Sequence, residues 1–150
     1  MSEDVRLAPV TASNWRAVVK LKLAPNQENF VASNVYSLAE SKFDPGARPR
    51  AIYAGKRLVG FLMYEVLGSP RRPKEASIYR FMIDRSHQRK GYGRAALARA
   101  IEEIRAIEGV SKIAICYAPE NAAARHFYTR FGFVETGRDE DGEIIAELPL

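Results

Sequence analysis

The sequence predicts a single α/β (α+β) domain in which a sheet of mixed strand directions carries helices on both faces. The chain of 150 residues is 47% hydrophobic and 27% charged, which is the balance of one globular domain over residues 1–150. Apolar residues recur with helical spacing in some segments and with strand spacing in others. The resulting order, β-α-α-β-β-β-α-β-α-β-β, fits this architecture.

The first third of the chain predicts a strand followed by two helices. Residues 5–10 alternate weakly between apolar and polar side chains, as a short strand does. Residues 11–23 begin with residues that favour helix N-caps and continue with apolar residues at helical spacing. Pro25 and Asn26 interrupt this helix. Apolar residues over 30–39 recur at steps of four, which predicts a second helix.

The middle of the chain predicts a hairpin, a loop and a further strand. Residues 51–54 and 58–65 flank a Gly-Lys pair, which is the pattern of a β-hairpin. One glycine and two prolines punctuate residues 67–74, so we expect a loop there. Residues 77–83 form an apolar, aromatic-rich run that predicts the next strand.

The last third predicts a helix, a strand, a short helix and a closing hairpin. Their expected ranges are 93–107, 112–117, 121–130, and 133–136 paired with 144–148. Gly109 ends the long helix, whose apolar residues lie on one stripe. Asp141-Gly142 supplies the hairpin turn.

Several classes of protein are not expected. No apolar run approaches the roughly 20 residues that span a bilayer, so no membrane interaction is expected. The acidic start lacks the apolar region of a secretory signal, which favours a cytoplasmic location. Cys116 is the single cysteine, so an internal disulfide is excluded, and we expect a core thiol. With only two histidines, no metal site is expected.

The formal net charge of +5 is concentrated in one region. Within fifteen positions lie the basic residues Arg85, Arg89, Lys90, Arg94 and Arg99. Such a cluster favours a phosphate site over a general polyanion surface. A nucleic-acid partner is not expected, because the sequence has no helix-turn-helix, zinc-finger or RNP-type signature.

A strand that runs into a two-glycine loop and then a helix outlines an anion site at residues 81–94. Glycines tolerate positive φ and allow the backbone to approach a ligand closely. N–H groups at a helix start can hold an anion, helped by the helix dipole. Arg89, Lys90 and Arg94 add charge, so the segment suits a pyrophosphate. A tight strand-helix connection with solvated basic residues is the alternative. The P-loop pattern is absent, and the third glycine of the dinucleotide signature is replaced by Ala96.

A second segment places a possible ligand face on the short helix. Asn121, Ala124 and Tyr128 are spaced i, i+3 and i+7, so they share one face. The small Ala124 would leave room for a ligand between an amide and a phenol. The remaining aromatic residues of this region, Phe127, Phe131 and Phe133, are expected in the core.

These two segments, in this order and spacing, resemble the GNAT superfamily of N-acetyltransferases over essentially the whole chain. The coenzyme A loop pattern Gln/Arg-x-x-Gly-x-Gly/Ala is matched by Gln88, Gly91 and Gly93. The helix pattern Asn-x-x-Ala-x-x-Phe-Tyr, ending in x-Gly-Phe, is matched by Asn121, Ala124, Phe127, Tyr128, Gly132 and Phe133. Residues 23–39, together with Arg80-x-Met82-Ile83-Asp84, are similar to the bacterial diamine or spermine/spermidine acetyltransferases.

The resemblance implies a mainly antiparallel sheet in which two neighbouring parallel strands, ending near Ile83 and Tyr117, splay apart. Acetyl-CoA is then the cosubstrate and binds in the cleft between them. A backbone N–H near Met82 would polarise the thioester carbonyl. Arg125 or Arg130 would reach the 3′-phosphate or be solvated. The implied cofactor-binding residues are Phe81, Met82, Ile83, Gln88, Arg89, Lys90, Gly91, Tyr92, Gly93, Arg94, Asn121, Ala124 and Tyr128.

The implied reaction is direct attack of an amine on the thioester, and it requires two proton transfers. An alkylammonium, with a pKa of about 10.4, must first lose a proton, and the departing thiolate must gain one. Tyr128 is the expected general acid; a hydrogen bond to the sulfur that serves binding alone is the alternative. Tyr79 occupies the place where polyamine acetyltransferases carry a glutamate. Glu28 and Tyr79 are therefore candidates for base or acceptor contact, with Glu65 and Glu75 as further carboxylates.

Two kinds of acceptor remain open. A polyamine-like acceptor predicts an acidic pocket lined by Glu28, Glu40 or Glu65, even though the chain as a whole has a net positive charge. The other kind is a different amine: an aminoglycoside, an amino acid or a protein amine. If the acceptor is polyamine-like, the expected partner is a small-molecule amine. A homodimer is an option because members of the family are often dimers, although nothing in the sequence marks an interface.

Overall fold

The computed structural model describes residues 4–25, 32–69 and 72–150, and the described residues form a seven-stranded sheet flanked by four helices. In chain order the elements are β1 (Val5–Pro9), α1 (Trp15–Lys20), α2 (Asn34–Ser41), β2 (Ala47–Ala54), β3 (Arg57–Ser69), β4 (Arg72–Ile83), α3 (Tyr92–Arg105), β5 (Val110–Tyr117), α4 (Ala122–Arg130), β6 (Val134–Arg138) and β7 (Ile144–Pro149). The sheet order is β1-β2-β3-β4-β5-β7-β6, and among the strands that the structure describes only β4 and β5 are parallel neighbours. The predicted element order and mixed sheet are confirmed.

The first two helices are shorter than the sequence predicts. Residues 11–14 form a capping turn, in which the Thr11 N–H donates to Asn14 Oδ1 over 2.7 Å, so α1 begins only at Trp15. The second helix begins at Asn34, because the Ser33 hydroxyl accepts the Tyr36 N–H over 3.1 Å as an N-cap. Its predicted start lies outside the described residues.

The loop predicted at residues 67–74 is wrong for residues 67–69 and 72–74, because β3 and β4 continue into this segment, while residues 70–71 lie outside the described residues. Leu67 pairs with Glu75, and Ser69 pairs with Arg72. A register shift between these pairs leaves Gly68 and Pro73 without a partner across the ladder. The irregularity accommodates two of the three residues that the sequence marks as strand breakers, and the third, Pro70, lies outside the described residues.

Apolar side chains pack on both faces of the sheet. On one face, residues of α3 such as Leu97 and Ile104 pack against Leu62 and Ile113, and all four are fully buried. A polar network also holds α3 there: the Tyr64 hydroxyl and Arg50 Nε (3.0 Å) both donate to the Glu103 carboxylate. Burial is the main reason that the pKa of Tyr64 rises to about 12.

The opposite face carries a smaller core under α1 and α2. Val18 of α1 is fully buried there with Phe61 and Met63 of β3, and Met82 of β4 joins them. Leu38 of α2 packs on the edge of this cluster. Within the described residues, no helix is long and apolar enough to cross a membrane.

The parallel strands β4 and β5 are paired only over their first halves. The ladder ends at Ser77 and Ala114, so residues 78–83 of β4 have no partner on β5. Tyr79 is an extra residue opposite β3, since Ile78 pairs with Tyr64 and Arg80 pairs with Met63. Such a bulge bends its strand and increases the local twist. The predicted splayed pair is confirmed, and it begins beside this bulge.

The last residues of β4 lie unusually close to β3. A Cβ added at Gly60 would be 2.5 Å from the Met82 carbonyl oxygen and 2.9 Å from Ile83 Cδ1. Only glycine leaves room for β4 at this point. Gly60 therefore sets the position of the segment that borders the gap between β4 and β5.

We expect Gly60→Ala to lower the free energy of unfolding by about 1–3 kcal/mol, the usual cost of overpacking. The measurement is urea unfolding followed by circular dichroism. Gly137→Ala in β6 is the matched control, because a Cβ there would meet no atom within 4 Å. Equal stability of the two variants would contradict the close approach at Gly60.

Candidate active site

A cavity of about 530 Å³ opens where β4 and β5 separate. Its walls come from the end of β4, the loop that follows it, the first turn of α3 and one face of α4. Every predicted cofactor-binding residue except Lys90 lines this cavity. The fold thus brings residues 81–94 and residues 121–128, which are distant along the chain, to the same cavity.

The loop between β4 and α3 is held by its own polar contacts. The Lys22 N–H donates to Asp84 Oδ1 over 2.7 Å, and the Arg85 N–H donates to the Lys22 carbonyl over 2.7 Å. The Gln88 side chain donates to the Ile83 carbonyl over 3.0 Å. These bonds fasten the loop to the chain after α1 and to the end of β4. Burial raises the pKa of Asp84, but hydrogen bonds from the Ser86 hydroxyl and from the Lys22 and Ser86 N–H groups outweigh it, so the pKa of this carboxyl is lowered.

The start of α3 has the backbone of an anion site. Arg89 and Gly91 have φ values of 65° and 81°, both in the left-handed region. Gly91 is the N-cap of α3 and offers no capping side chain. A left-handed arginine is unusual and carries a cost that the surrounding contacts must offset. Both Arg89 and Gly91 line the cavity at the positive end of the 14-residue helix α3, where backbone N–H groups favour an anion.

The inner face of α4 is the second wall of the cavity. Asn121 Oδ1 accepts the Ala124 N–H over 3.2 Å and so caps the helix. Asn121, Ala124 and Tyr128 all line the cavity, as their spacing predicts. Asn121 therefore combines a structural role with a place in the lining.

Tyr128 is held by aromatic neighbours. Its ring stacks on Tyr117, with centroids 6.1 Å apart and planes at 9°, and it meets Phe127 and Phe133 edge-on. Tyr117 is fixed in turn, because its hydroxyl donates to Glu135 Oε1 over 2.9 Å. Burial raises the pKa of Tyr128, so the phenol keeps its proton at neutral pH.

Four further residues line the cavity that the motif patterns did not mark as contacts: Leu23, His87, Ala123 and Phe127. Phe127 does not lie wholly in the core, since it is half-buried and meets the Phe81 ring edge-on at 6.1 Å. His87 has a buried Nδ1 that finds no hydrogen-bond partner within the described part of the chain. In the sequence, Phe127 is next to Tyr128 and His87 is next to Gln88, and this adjacency is the signal that could have identified both as lining residues.

Other predicted residues lie elsewhere. Lys90 lines a neighbouring depression of about 340 Å³ together with Arg94 and Arg130. Arg125 lies on the surface and pairs with Glu135 at 2.7 Å. Glu28 lies outside the described residues.

The prediction of a core thiol at Cys116 is wrong. Alternate residues of β5, Ile113, Ile115 and Tyr117, face the larger core, so Cys116 faces the other side and is exposed. Partial burial and the nearby carboxylates of Asp139 and Glu143 raise the pKa of this thiol. A thiol of that kind is a poor nucleophile at neutral pH.

On the α2 side of the sheet, carboxylates gather around the bulge of β4. Burial, a hydrogen bond to Asp44 and the charge of Glu40 raise the pKa of Glu65 to about 7. Burial and the same carboxylates raise the pKa of Tyr79 to about 12. The Tyr79 hydroxyl is buried and has no hydrogen-bond partner among the described residues. Arg80 is the neighbouring cation, 3.4 Å from Glu40.

The remaining candidate carboxylate is distant from the gap between the strands. Glu75 lies where β4 and β5 are still paired, and it is 3.6 Å from Lys112. Across residues 4–25, 32–69 and 72–150, no three His, Cys, Asp or Glu side chains meet in an arrangement that could hold a metal ion.

Comparison with known proteins identifies the family. The acetyltransferase (GNAT) family model matches residues 15–133. A spermine/spermidine N(1)-acetyltransferase of Bacillus subtilis strain 168 is 28% identical over 98% of this chain and 99% of its own length. A probable spermine N(1)-acetyltransferase of the natto strain BEST195 has the same identity and coverage. The fold also matches a crystal structure of Vibrio cholerae spermidine N-acetyltransferase in complex with CoA and spermine. That match has a TM-score of 0.75 and 21% identity, and it covers 98% of this chain and 95% of the other.

Replacement of Asn121 should separate its structural role from its place in the cavity lining. Asn121→Ala removes the N-cap and should lower the free energy of unfolding by about 1 kcal/mol, whereas Asn121→Asp keeps a capping oxygen and should retain stability. Thermal unfolding of the three proteins measures this. Equal losses in both variants, or no loss in the alanine variant, would show that the cap does not support α4.

Proposed function

This chain belongs to the GNAT family of acetyltransferases, and we propose that it transfers an acetyl group from acetyl-CoA to a primary amine of a small acceptor, a polyamine such as spermidine or spermine. The observation that carries the proposal is the cavity between the splayed strands. It joins a left-handed glycine at the start of α3 to the half-buried phenol of Tyr128 on α4.

The residues present suit acetyl-CoA. The edge of β4 over residues 78–83 has no partner on β5, so its backbone can pair with the amides of the pantetheine arm. N–H groups from Gln88 to Arg94 would hold the pyrophosphate at the start of α3. Asn121 would contact the arm, with Ala124 leaving space beside it. Lys90, Arg94 and Arg130 gather around the adjoining depression and would face the 3′-phosphate.

In the proposed reaction a backbone N–H would polarise the thioester and a side chain would supply the proton. Acetyl-CoA supplies an activated acetyl group when bound. The Met82 N–H would polarise the thioester carbonyl as negative charge develops on its oxygen. Tyr128 would give its proton to the departing thiolate. Its raised pKa supports this role, since the phenol is fully protonated before the reaction.

A polyamine acceptor is supported by the local charge. The chain as a whole carries +5, yet Glu40, Asp44 and Glu65 meet beside Tyr79 with Arg80 as their neighbouring cation. Carboxylates in such excess favour a cationic ligand. Tyr79 borders this group and would contact the acceptor. Glu28 is proposed as a further acceptor contact on sequence grounds alone.

The test is release of free coenzyme A thiol from acetyl-CoA with a panel of amines: spermidine, spermine, short diamines, aminoglycosides and lysine peptides. We expect turnover with the polyamines and little with the other classes. Turnover with an aminoglycoside or peptide alone would replace the polyamine acceptor by that amine. Tight acetyl-CoA binding without turnover on any amine would refute the proposed acceptor class.

Gly91→Val should weaken acetyl-CoA binding by at least tenfold while the protein stays folded. A Cβ at Gly91 would meet no protein atom within 4 Å, so the side chain would instead obstruct the cavity. The left-handed φ adds roughly 1–2 kcal/mol of strain. Calorimetric titration with acetyl-CoA measures the affinity, and thermal unfolding checks the fold. Normal affinity in a folded variant would contradict the proposed position of the pyrophosphate.

Tyr128→Phe should lower kcat by about a hundredfold, the lower range for loss of a general acid, and leave acetyl-CoA affinity within about twofold. Tyr36→Phe is the matched control, because Tyr36 lies on α2 and is 59% exposed. Steady-state kinetics with spermidine and titration with acetyl-CoA give the two readouts. Unchanged turnover would remove Tyr128 from the acid role.

A further inference from the structure

The part of β4 that borders the cavity is supported by a neighbouring strand on one side only. Residues 78–83 lie beside β3, whereas the ladder to β5 ends at Ser77. Tyr79 has no residue opposite it on β3, since it is the extra residue of the bulge. A bulge leaves its extra residue outside the ladder and disrupts the pairing around it. Contacts outside the ladder are therefore needed to fix the position of this segment.

Arg80 makes two contacts with the bulge itself. Its Nη1 donates to the Tyr79 carbonyl over 3.0 Å, and its guanidinium lies over the Tyr79 ring, 4.9 Å from the centroid. A backbone carbonyl displaced from a ladder needs such a donor, because a carbonyl that is left without a partner costs free energy. The cation–π contact adds to the attraction. One side chain thus binds both the backbone and the ring of the bulged residue.

The same guanidinium ties the bulge to α2. Its Nε donates to Ser37 Oγ over 3.1 Å, and its Nη2 donates to Glu40 Oε1 over 3.4 Å. Ser37 is fully buried, and its hydroxyl donates in turn to the Ser33 carbonyl over 3.0 Å. The Arg80 side chain is only 17% exposed. Each of the three guanidinium nitrogens is thus engaged, two of them with α2.

Different helices hold the two faces of this segment. Arg80 points toward α2, and the next residue, Phe81, points to the opposite face of the sheet by strand alternation. The Phe81 ring meets the Phe127 ring of α4 edge-on at 6.1 Å, and both residues line the cavity. Arg80 is not one of the residues that line the cavity. Its contacts can therefore affect a ligand there through the position of β4.

We propose that Arg80 is a positioning residue for acetyl-CoA: its guanidinium fixes the bulge of β4 against α2 and so fixes the edge to which the pantetheine arm binds. This inference rests on the proposed function. The arm would pair with backbone groups of residues 78–83, so the positions of those groups decide how well it binds. Without the Arg80 contacts, binding would have to order this segment, and ordering one backbone residue lowers affinity by roughly tenfold.

This role requires the geometry of the guanidinium rather than its charge. A planar fork can donate to the Tyr79 carbonyl and to the Ser37 hydroxyl at the same time. Lysine keeps a positive charge near Glu40, but its ammonium is a point charge on a flexible stem and cannot reproduce that set of bonds. Arg80→Lys therefore removes the fork and leaves the net charge of the chain unchanged.

The test compares two ligands by calorimetric titration: acetyl-CoA, and adenosine 3′,5′-bisphosphate, which has no pantetheine arm. Arg80→Lys should weaken acetyl-CoA binding by about tenfold and leave the affinity for the bisphosphate within about twofold. A variant that only lowered the folded fraction would weaken both ligands by the same factor. Arg48→Lys is the matched control and should change neither affinity. Arg48 Nη1 also donates to backbone carbonyls, those of Pro45 and Ala47 at 3.1 and 3.2 Å, but Arg48 lies on β2.

Amide hydrogen exchange measures the effect on β4 without any ligand. In the free protein, the amides of residues 78–83 should exchange several-fold faster in Arg80→Lys than in the wild type, whereas the amides of β2 should not change. Ser37→Ala removes the acceptor of the Nε bond and should change both readouts in the same direction by a smaller factor. It provides the test if Arg80→Lys does not fold. The double variant should be no worse than Arg80→Lys alone, because both act on one set of contacts.

The inference is overturned if Arg80→Lys binds acetyl-CoA with wild-type affinity, if it loses affinity for both ligands equally, or if exchange over residues 78–83 is unchanged. For Ser37→Ala the same three results count against it. A wild-type protein that does not bind acetyl-CoA would instead refute the proposed function, and the inference with it.

Discussion

The separation of β4 from β5 is the constraint on which the rest of the structure depends. Neighbouring parallel strands normally exchange backbone hydrogen bonds along their whole length, yet the ladder between β4 and β5 ends at Ser77 and Ala114. The bulge at Tyr79 bends β4 just beyond that point, and Gly60 lets the bent strand lie close to β3. The part of β4 that has no partner on β5 forms an edge of the cavity. One local irregularity thus converts a sheet interior into a place where an extended ligand can add itself as a strand.

The two faces of the sheet divide the work of the proposed site. On the α3 and α4 side, a glycine-capped helix start and a packed phenol border the cavity. On the α1 and α2 side, carboxylates surround the bulge, and burial together with Asp44 and Glu40 raises the pKa of Glu65. Cationic groups such as Lys90 and Arg130 lie near the helix start, away from those carboxylates along the chain. The net charge of the chain, +5, conceals this arrangement because it sums over both faces.

Much of the architecture could be predicted from local signals. Periodicity gave the order of elements, and the Asn121, Ala124 and Tyr128 spacing identified one helix face that lines the cavity. The errors arose where packing overrides local preference. A glycine and a proline at residues 68 and 73 predicted a loop, but a register shift absorbs both within a continuing ladder. Cys116 looked like a core residue by type, yet the alternation of β5 turns it outward.

The sequence by itself determined the fold class, the family and the two segments that form the cavity, because these follow from short-range spacing and motif order. The tertiary structure alone decided which carboxylates meet. The residues involved lie on three separate stretches of chain, namely Glu40 with Asp44, Glu65, and Tyr79. Strand register together with one bulge brings them into one electrostatic neighbourhood. A pKa raised toward 7 requires burial and neighbouring charge, and both are properties of the folded chain rather than of residue order.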